Sequence, residues 1–184
     1  MFSISSAGGM RERFRRVRLY PAAKYNRPMG LELVAAVNDD SPAIIRVIRS
    51  VYDEYGFTWE SGGYHADLEQ IEEHYPNKGG AFWVLREDGE VVATCGVHRH
   101  TQSDCELARL YLLARLRGQG IGSRLFRHTI EWSRAQGFRR MFIWSDVKLT
   151  LAHSLYFRHG AKWIGQRRCN DPDNSLEQGF LYTL

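Results

Sequence analysis

Three glycines in five positions, Gly118, Gly120 and Gly122, stand between a run that reads as a strand and a run that reads as a helix. Glycine there permits positive φ and lets bare backbone approach a ligand closely. Successive N–H groups then converge on the loop, and the first helical turn adds partial positive charge, so the segment reads as an anion site. Arg117 and Arg124 add formal charge nearby. The competing reading is a tight turn that needs glycine only for packing. A dinucleotide-binding turn would require glycine where Ser123 stands and would follow the first strand of the chain. A Walker loop requires Gly-Lys-Ser/Thr, which the sequence lacks.

What precedes the loop rules out a purely parallel sheet. Leu31–Val37 reads as a strand, and Asp39-Asp-Ser-Pro42 as a helix start with proline near the first turn. Ile44, Ile45, Ile48, Val51, Tyr52 and Tyr55 then follow at helical spacing up to Gly56. A second helix is expected between Tyr64 and Tyr75, broken by Pro76–Gly80. Ala81–Leu85, Glu90–His98 and Cys105–Leu113 read as an antiparallel meander, its first turn carrying Asp88-Gly89. After the glycine loop come a helix ending at Gly137, a strand over 140–145, a helix from Leu149 to His159, and strands over 161–169 and 176–184. The order is β-α-α-β-β-β-α-β-α-β-β, a mixed α/β fold.

A chain of 184 residues is the size of one domain. Its net charge of +4 invites a nucleic-acid reading, but the charge is unevenly placed. Residues 1–30 hold seven basic side chains and one acid, whereas the other 154 hold 18 and 20. The basicity therefore belongs to an arm over residues 1–30, expected to be a disordered extension or to follow from a start at Met10 or Met29. The body over residues 31–184 is slightly acidic, so nucleic acid is not the expected partner. No apolar run approaches the ~18 residues of a membrane span. Cys95, Cys105 and Cys169 form no CxxC pair, which argues against a disulfide framework and points to a reducing, cytoplasmic compartment. No HExxH or H-x-E/C-x-x-C spacing suggests a metal.

Arg117-Gly-Gln-Gly-Ile-Gly122 resembles the Arg/Gln-x-x-Gly-x-Gly/Ala motif of the GNAT N-acetyltransferase superfamily. Ala152-His-Ser-Leu-Tyr-Phe-Arg-His-Gly160 resembles the Ala-x-x-Leu-Tyr-x-x-x-Gly helix of the same superfamily, and the two motifs stand in the right order. The resemblance covers roughly residues 31–184 and implies a centrally splayed sheet flanked by helices. It implies that Arg117, Gly118, Gln119, Gly120, Ile121, Gly122 and Ser123 hold the pyrophosphate of acetyl-CoA. By the same resemblance, the backbone of Leu110, Tyr111 and Leu112 pairs with the pantetheine arm, with an N–H near Leu112 polarising the thioester.

For catalysis the resemblance implies that Tyr156 protonates the departing thiolate, a role within reach of a phenol of pKa ~10. Glu106 is the expected general base, and His98 and His100, on one face of the neighbouring strand, are its rivals. Two positions depart from the family pattern: Leu149 replaces a frequent asparagine, and Ala114 a frequent proline. The implied activity is transfer of an acetyl group from acetyl-CoA to a primary amine by direct attack in a ternary complex, with a possible homodimer. The alternative is a module that binds CoA or acyl-CoA without chemistry. The acceptor is expected on the side of the first two helices and the last hairpin. Asp53–Glu60 could receive a cationic amine there, or could be packing and a solvated loop.

Overall fold

The computed structural model describes residues 30–184, so the basic arm expected over residues 1–30 falls almost wholly outside the described residues. Its centre is a seven-stranded sheet built from β1 (Leu31–Ala35), β2 (Ala81–Glu87), β3 (Glu90–Arg99), β4 (Asp104–Leu112), β5 (Arg140–Asp146), β6 (Lys162–Arg168) and β7 (Leu176–Thr183). The spatial order is β1-β2-β3-β4-β5-β7-β6. Every neighbouring pair is antiparallel except β4 and β5, which run parallel. The helices are α1 (Ser41–Tyr55), the single turn α2 (Ile71–His74), α3 (Ile121–Ala135) and α4 (Thr150–Arg158). This is the order expected from the sequence.

Local chemistry explains the boundaries. Pro42 sits in the first turn of α1, where its missing N–H costs nothing, and Gly56 closes the helix at φ 64°. Asp88 and Gly89 both have positive φ, the geometry that turns β2 tightly into β3. The expected second helix between Tyr64 and Tyr75 is different: a 3-10 segment over Gly63–Leu68, then one α-helical turn over Ile71–His74. Gly62 and Gly63 take positive φ at its start, and Leu68, Ile71 and Tyr75 are all fully buried. Their burial, rather than a regular helical stripe, sets the path.

Alternation along the strands divides the interior into two layers. Phe82 and Val84 face Ile44, Ile48, Leu68, Ile71 and Tyr75 on the α1 and α2 side. Trp83 and Leu85 face Leu125, Phe126, Ile130 and Tyr156 on the α3 and α4 side. Each fully buried aliphatic side chain contributes roughly 1.5–3 kcal/mol, so both helical layers are held firmly to the sheet.

Two irregularities at the centre of the sheet create the site. β4 and β5 pair only from Asp104–Arg140 to Leu107–Ile143, leaving the β5-facing edge of Ala108–Leu112 unpaired by strand. In the same stretch β4 bulges against β3: Gly96 pairs with Ala108, but Thr94 pairs with Tyr111. Arg109 occupies the bulge at φ 53°, and the Thr94 hydroxyl donates to its carbonyl at 2.7 Å.

Candidate active site

The splay opens two cavities. One, of about 240 Å³, is a groove lined by Leu110, Tyr111, Leu112, Arg117, Gly118, Gly120, Gly122 and Ser123, with Leu155 and Arg158 of α4 opposite. The other, of about 410 Å³, is a cleft lined by Glu106 to Tyr111, Tyr156, His98 and residues of the α1–α2 loop and the last hairpin. Leu110, Tyr111, Leu149 and Ala152 line both. The two cavities therefore meet where β4 leaves β5.

The groove has the character of an anion cradle. Gly118 and Gly120 have φ of 74° and 78°, with open space where a Cβ would stand. Gly120 is the N-cap of α3, so the first amides of a 15-residue helix start at the groove without intrahelical acceptors. Ser123 Oγ lies 3.2 Å from His159 Nε2.

Residues 45–161 match the acetyltransferase (GNAT) family. The chain belongs to that family. Membership makes it an acetyl-CoA-dependent N-acetyltransferase. The uncharacterized N-acetyltransferase YjgM of Escherichia coli is 38% identical over 130 residues, covering 68% of this chain and 78% of its own. Human N-acetylaspartate synthetase is 32% identical over 103 residues, 55% of this chain but only 34% of the human protein. An acetyltransferase from Streptococcus agalactiae shares the fold with a TM-score of 0.76 at 22% identity, over 84% of this chain and 99% of that one. The acetyltransferase yncA from Salmonella typhimurium, solved with its cofactor acetyl-CoA, gives a TM-score of 0.68 at 16% identity, over 84% and 94%.

Of the residues the GNAT resemblance assigns to the cofactor, most line the groove. Ile121 and Gln119 do not: Ile121 is 5% exposed and anchors α3 in the core, and the Gln119 amide donates to the Arg115 carbonyl at 2.6 Å. Arg117 lines the groove, but its guanidinium grips both oxygens of Glu54 at 2.6 and 2.8 Å and also donates to the Leu112 carbonyl. Its charge is thus already paired, and Glu54 with the Leu112 carbonyl draws the loop toward α1. Arg124 is exposed and absent from the groove lining, whereas Arg158 lines it. A charge contributed by α4 was not legible from the loop motif.

Tyr156 is 4% exposed and lines the cleft, where burial and the neighbouring Tyr111 raise its phenol above the ordinary value. The phenol stays protonated throughout the physiological range. Glu106 and His98 face each other across the β3–β4 ladder and both line the cleft. His98 stacks on Tyr75 with ring centroids 4.1 Å apart, and burial lowers its pKa despite nearby carboxylates. The neutral imidazole is therefore favoured over the imidazolium there. His100 does not line the cleft; its Nε2 meets Glu106 Oε2 at 2.7 Å, and that hydrogen bond raises its pKa.

Asp53–Glu60 is for the most part packing, the second of its two readings, and supplies no acidic group to the cleft. Within that stretch only Phe57 lines the cleft. Glu54 is held by Arg117, the Glu60 carboxylate accepts from the Tyr64 amide, and Trp59 stacks on His65 at 3.9 Å. Besides Glu106, the cleft's charged groups come instead from Asp67, Arg109, Asp146, Arg167, Asp171 and Glu177. None of these belongs to a motif, since each is brought in from a separate loop or strand.

Proposed function

We propose that the protein transfers the acetyl group of acetyl-CoA to a primary amine by direct attack within a ternary complex. The observation that carries this reading is the meeting of groove and cleft at Leu110, Tyr111, Leu149 and Ala152, beside the buried Tyr156. A donor in the groove and an acceptor in the cleft would be held in one reacting geometry without a covalent enzyme intermediate.

The groove suits the donor. Gly118 and Gly120 leave open space for the pyrophosphate, Gly122 and Ser123 in the first turn of α3 line the same groove, and Arg158 supplies charge. The unpaired edge of Leu110–Leu112 receives the pantetheine amides as a strand would. Acetyl-CoA supplies a thioester carbonyl as electrophile and a thiolate as leaving group. Tyr156 holds the proton for that thiolate, and Glu106 or the neutral His98 takes the proton lost by the amine. Leu149, where relatives often carry asparagine, contributes only an apolar wall shared by both cavities.

The unit that carries this activity is residues 31–184. Three buried, unbonded thiols support a reducing, cytoplasmic location. Among the described residues no helix is long and apolar enough to cross a membrane. The family resemblance also allows a homodimer, which light scattering tests. Thiol release from acetyl-CoA, measured over a panel of primary amines, tests the activity. Acceptor-dependent release supports it, whereas acetyl-CoA binding without turnover on any amine supports a non-catalytic module.

A further inference from the structure

The charges of the acceptor cleft define which amine it takes; this step rests on the amine acetylation proposed above. Two arginines line the cleft, and both are already gripped by carboxylates. Arg109 donates through Nε and Nη2 to Asp67 at 3.1 and 2.7 Å, and also to the Tyr64 carbonyl at 2.8 Å. Arg167 donates through Nε to Glu177 at 2.7 Å. The Asp67 and Glu177 side chains are only 13% and 9% exposed, so neither can turn to water when its arginine leaves. A substrate carboxylate at Arg109 would have to displace a buried internal partner and strand it, and at Arg167, 43% exposed, it would share the guanidinium with Glu177.

Negative charge, by contrast, is available. Asp146 and Asp171 line the cleft and accept backbone N–H groups, of Lys148 at 2.7 Å and Ser175 at 2.8 Å, and among the described residues neither forms an ion pair. Glu106 meets the imidazole of His100. Tyr52, Phe57, Tyr64 and Trp144 add aromatic surface to the same cleft. Aromatic walls with unpaired carboxylates attract a cation and an apolar body, and they repel a second carboxylate. The size, about 410 Å³, suits a small molecule. Thr58 in the α1–α2 loop donates its N–H and hydroxyl to Asp173 in the β6–β7 loop at 2.7 and 2.6 Å, joining the two loops whose neighbours Phe57 and Asp171 form the walls.

The geometry points to a small primary amine without a carboxylate, an aralkylamine or a diamine, as the acceptor class, and against an α-amino acid. Asp146 and Asp171 act as specificity residues for a distal positive end, and the aromatic walls for an apolar body.

The experiment uses the full chain, acetyl-CoA and matched acceptors that differ only in the carboxylate: tyramine against tyrosine, and cadaverine against lysine. The expected result is a kcat/KM at least about tenfold higher for the carboxylate-free member of each pair. The double variant Asp146→Asn, Asp171→Asn keeps an oxygen for each backbone N–H but removes both charges. It is expected to raise KM for cadaverine several-fold while leaving acetyl-CoA affinity unchanged. Tyrosine or lysine used as well as its partner overturns the inference, as does an unchanged cadaverine KM in the double variant. Acetylation of other amines with neither pair turned over also overturns it. No acceptor-dependent release of thiol with any amine refutes the proposed amine acetylation itself. In that case calorimetric binding of tyramine against tyrosine still ranks the cleft, and tighter tyrosine overturns the inference.

Discussion

The guanidinium of Arg109 and the carboxylate of Asp67 form a two-point ion pair, with Nη2 to Oδ1 at 2.7 Å and Nε to Oδ2 at 3.1 Å. It joins the bulge of β4 to the 3-10 segment after α1, and the Tyr75 hydroxyl donates to the same carboxylate at 2.6 Å. Bulges often use glycine for positive φ; here an arginine at φ 53° is held by its side chain. The pair therefore fixes the backbone that precedes Leu110 to Leu112.

Asp67→Ala leaves the Arg109 charge buried and uncompensated. The expected loss is about 3–5 kcal/mol of unfolding free energy in denaturant titrations. Arg109→Gly keeps the positive φ but loses the pair, so it is expected to lower kcat more than it raises KM for acetyl-CoA. Equal effects on both parameters would assign the pair to overall stability alone.

The same pair makes stability sensitive to acid. Burial alone would raise the Asp67 carboxyl, but the charge of Arg109 and hydrogen bonds from Arg109 and Tyr75 hold it below its ordinary value of 3.8. A depressed carboxyl contributes stability above its unfolded pKa and loses it as pH falls through the folded one. His98, lowered mainly by burial from 6.5, likewise stabilises while neutral and loses that contribution on acidification. Denaturant midpoints are expected to fall below about pH 6, and less steeply in Asp67→Asn, which starts lower.

His100 moves the other way. Its pKa is raised from 6.5, chiefly by the hydrogen bond to Glu106, so the pair's contribution is full below that value and fades as pH rises through the folded pKa. In Glu106→Gln, the His100 ring resonances in NMR are expected to titrate at lower pH than in the unaltered protein. The same variant is expected to lower kcat by ~10²–10³-fold if Glu106 accepts the amine proton, and His98→Asn by less. The reverse ranking would make His98 the base.

Tyr156→Phe removes one hydroxyl from a buried ring. A loss of ~10²–10⁴-fold in kcat is expected, with acetyl-CoA affinity unchanged by calorimetry. An unaltered kcat would make Tyr156 a packing residue between Phe126 and Phe180, which its ring contacts at 5.4 Å each.

Gly120→Ala forces a side chain into φ 78° at the start of α3. The expected cost is roughly 1–2 kcal/mol in stability, with a further loss in acetyl-CoA affinity because the methyl borders the groove. Gly137→Ala, at φ 84° beyond the far end of the same helix, is the control that is strained without touching the groove.

The order of strands and helices was legible because it rests on local patterns: the continuous apolar run of Ala81–Leu85, helical spacing from Ile44 to Tyr55, and Gly56 and Asp88-Gly89 as stops. The glycine loop and Tyr156 helix were legible as motifs, and the structure brings both to the splay. The electrostatics were not. Arg117 reads as a free phosphate ligand until Glu54, 63 positions away, is folded against it. Arg109 gives no signal of its positive φ, since arginine carries none, and Asp67 lies 42 positions earlier. Pairings at such separations are decided by the sheet, and no local periodicity encodes them.

Only four rungs, Asp104–Arg140 to Leu107–Ile143, stitch one half of the sheet to the other. Across the cleft mouth the halves are tied again by the exposed clasp of Thr58 and Asp173. The groove at the glycine loop is lined by α1, β4, α3 and α4, and neither the clasp nor the β6–β7 loop enters it. Exchanging a few residues of those two loops can therefore reset the opening and charge of the cleft while the groove keeps its shape.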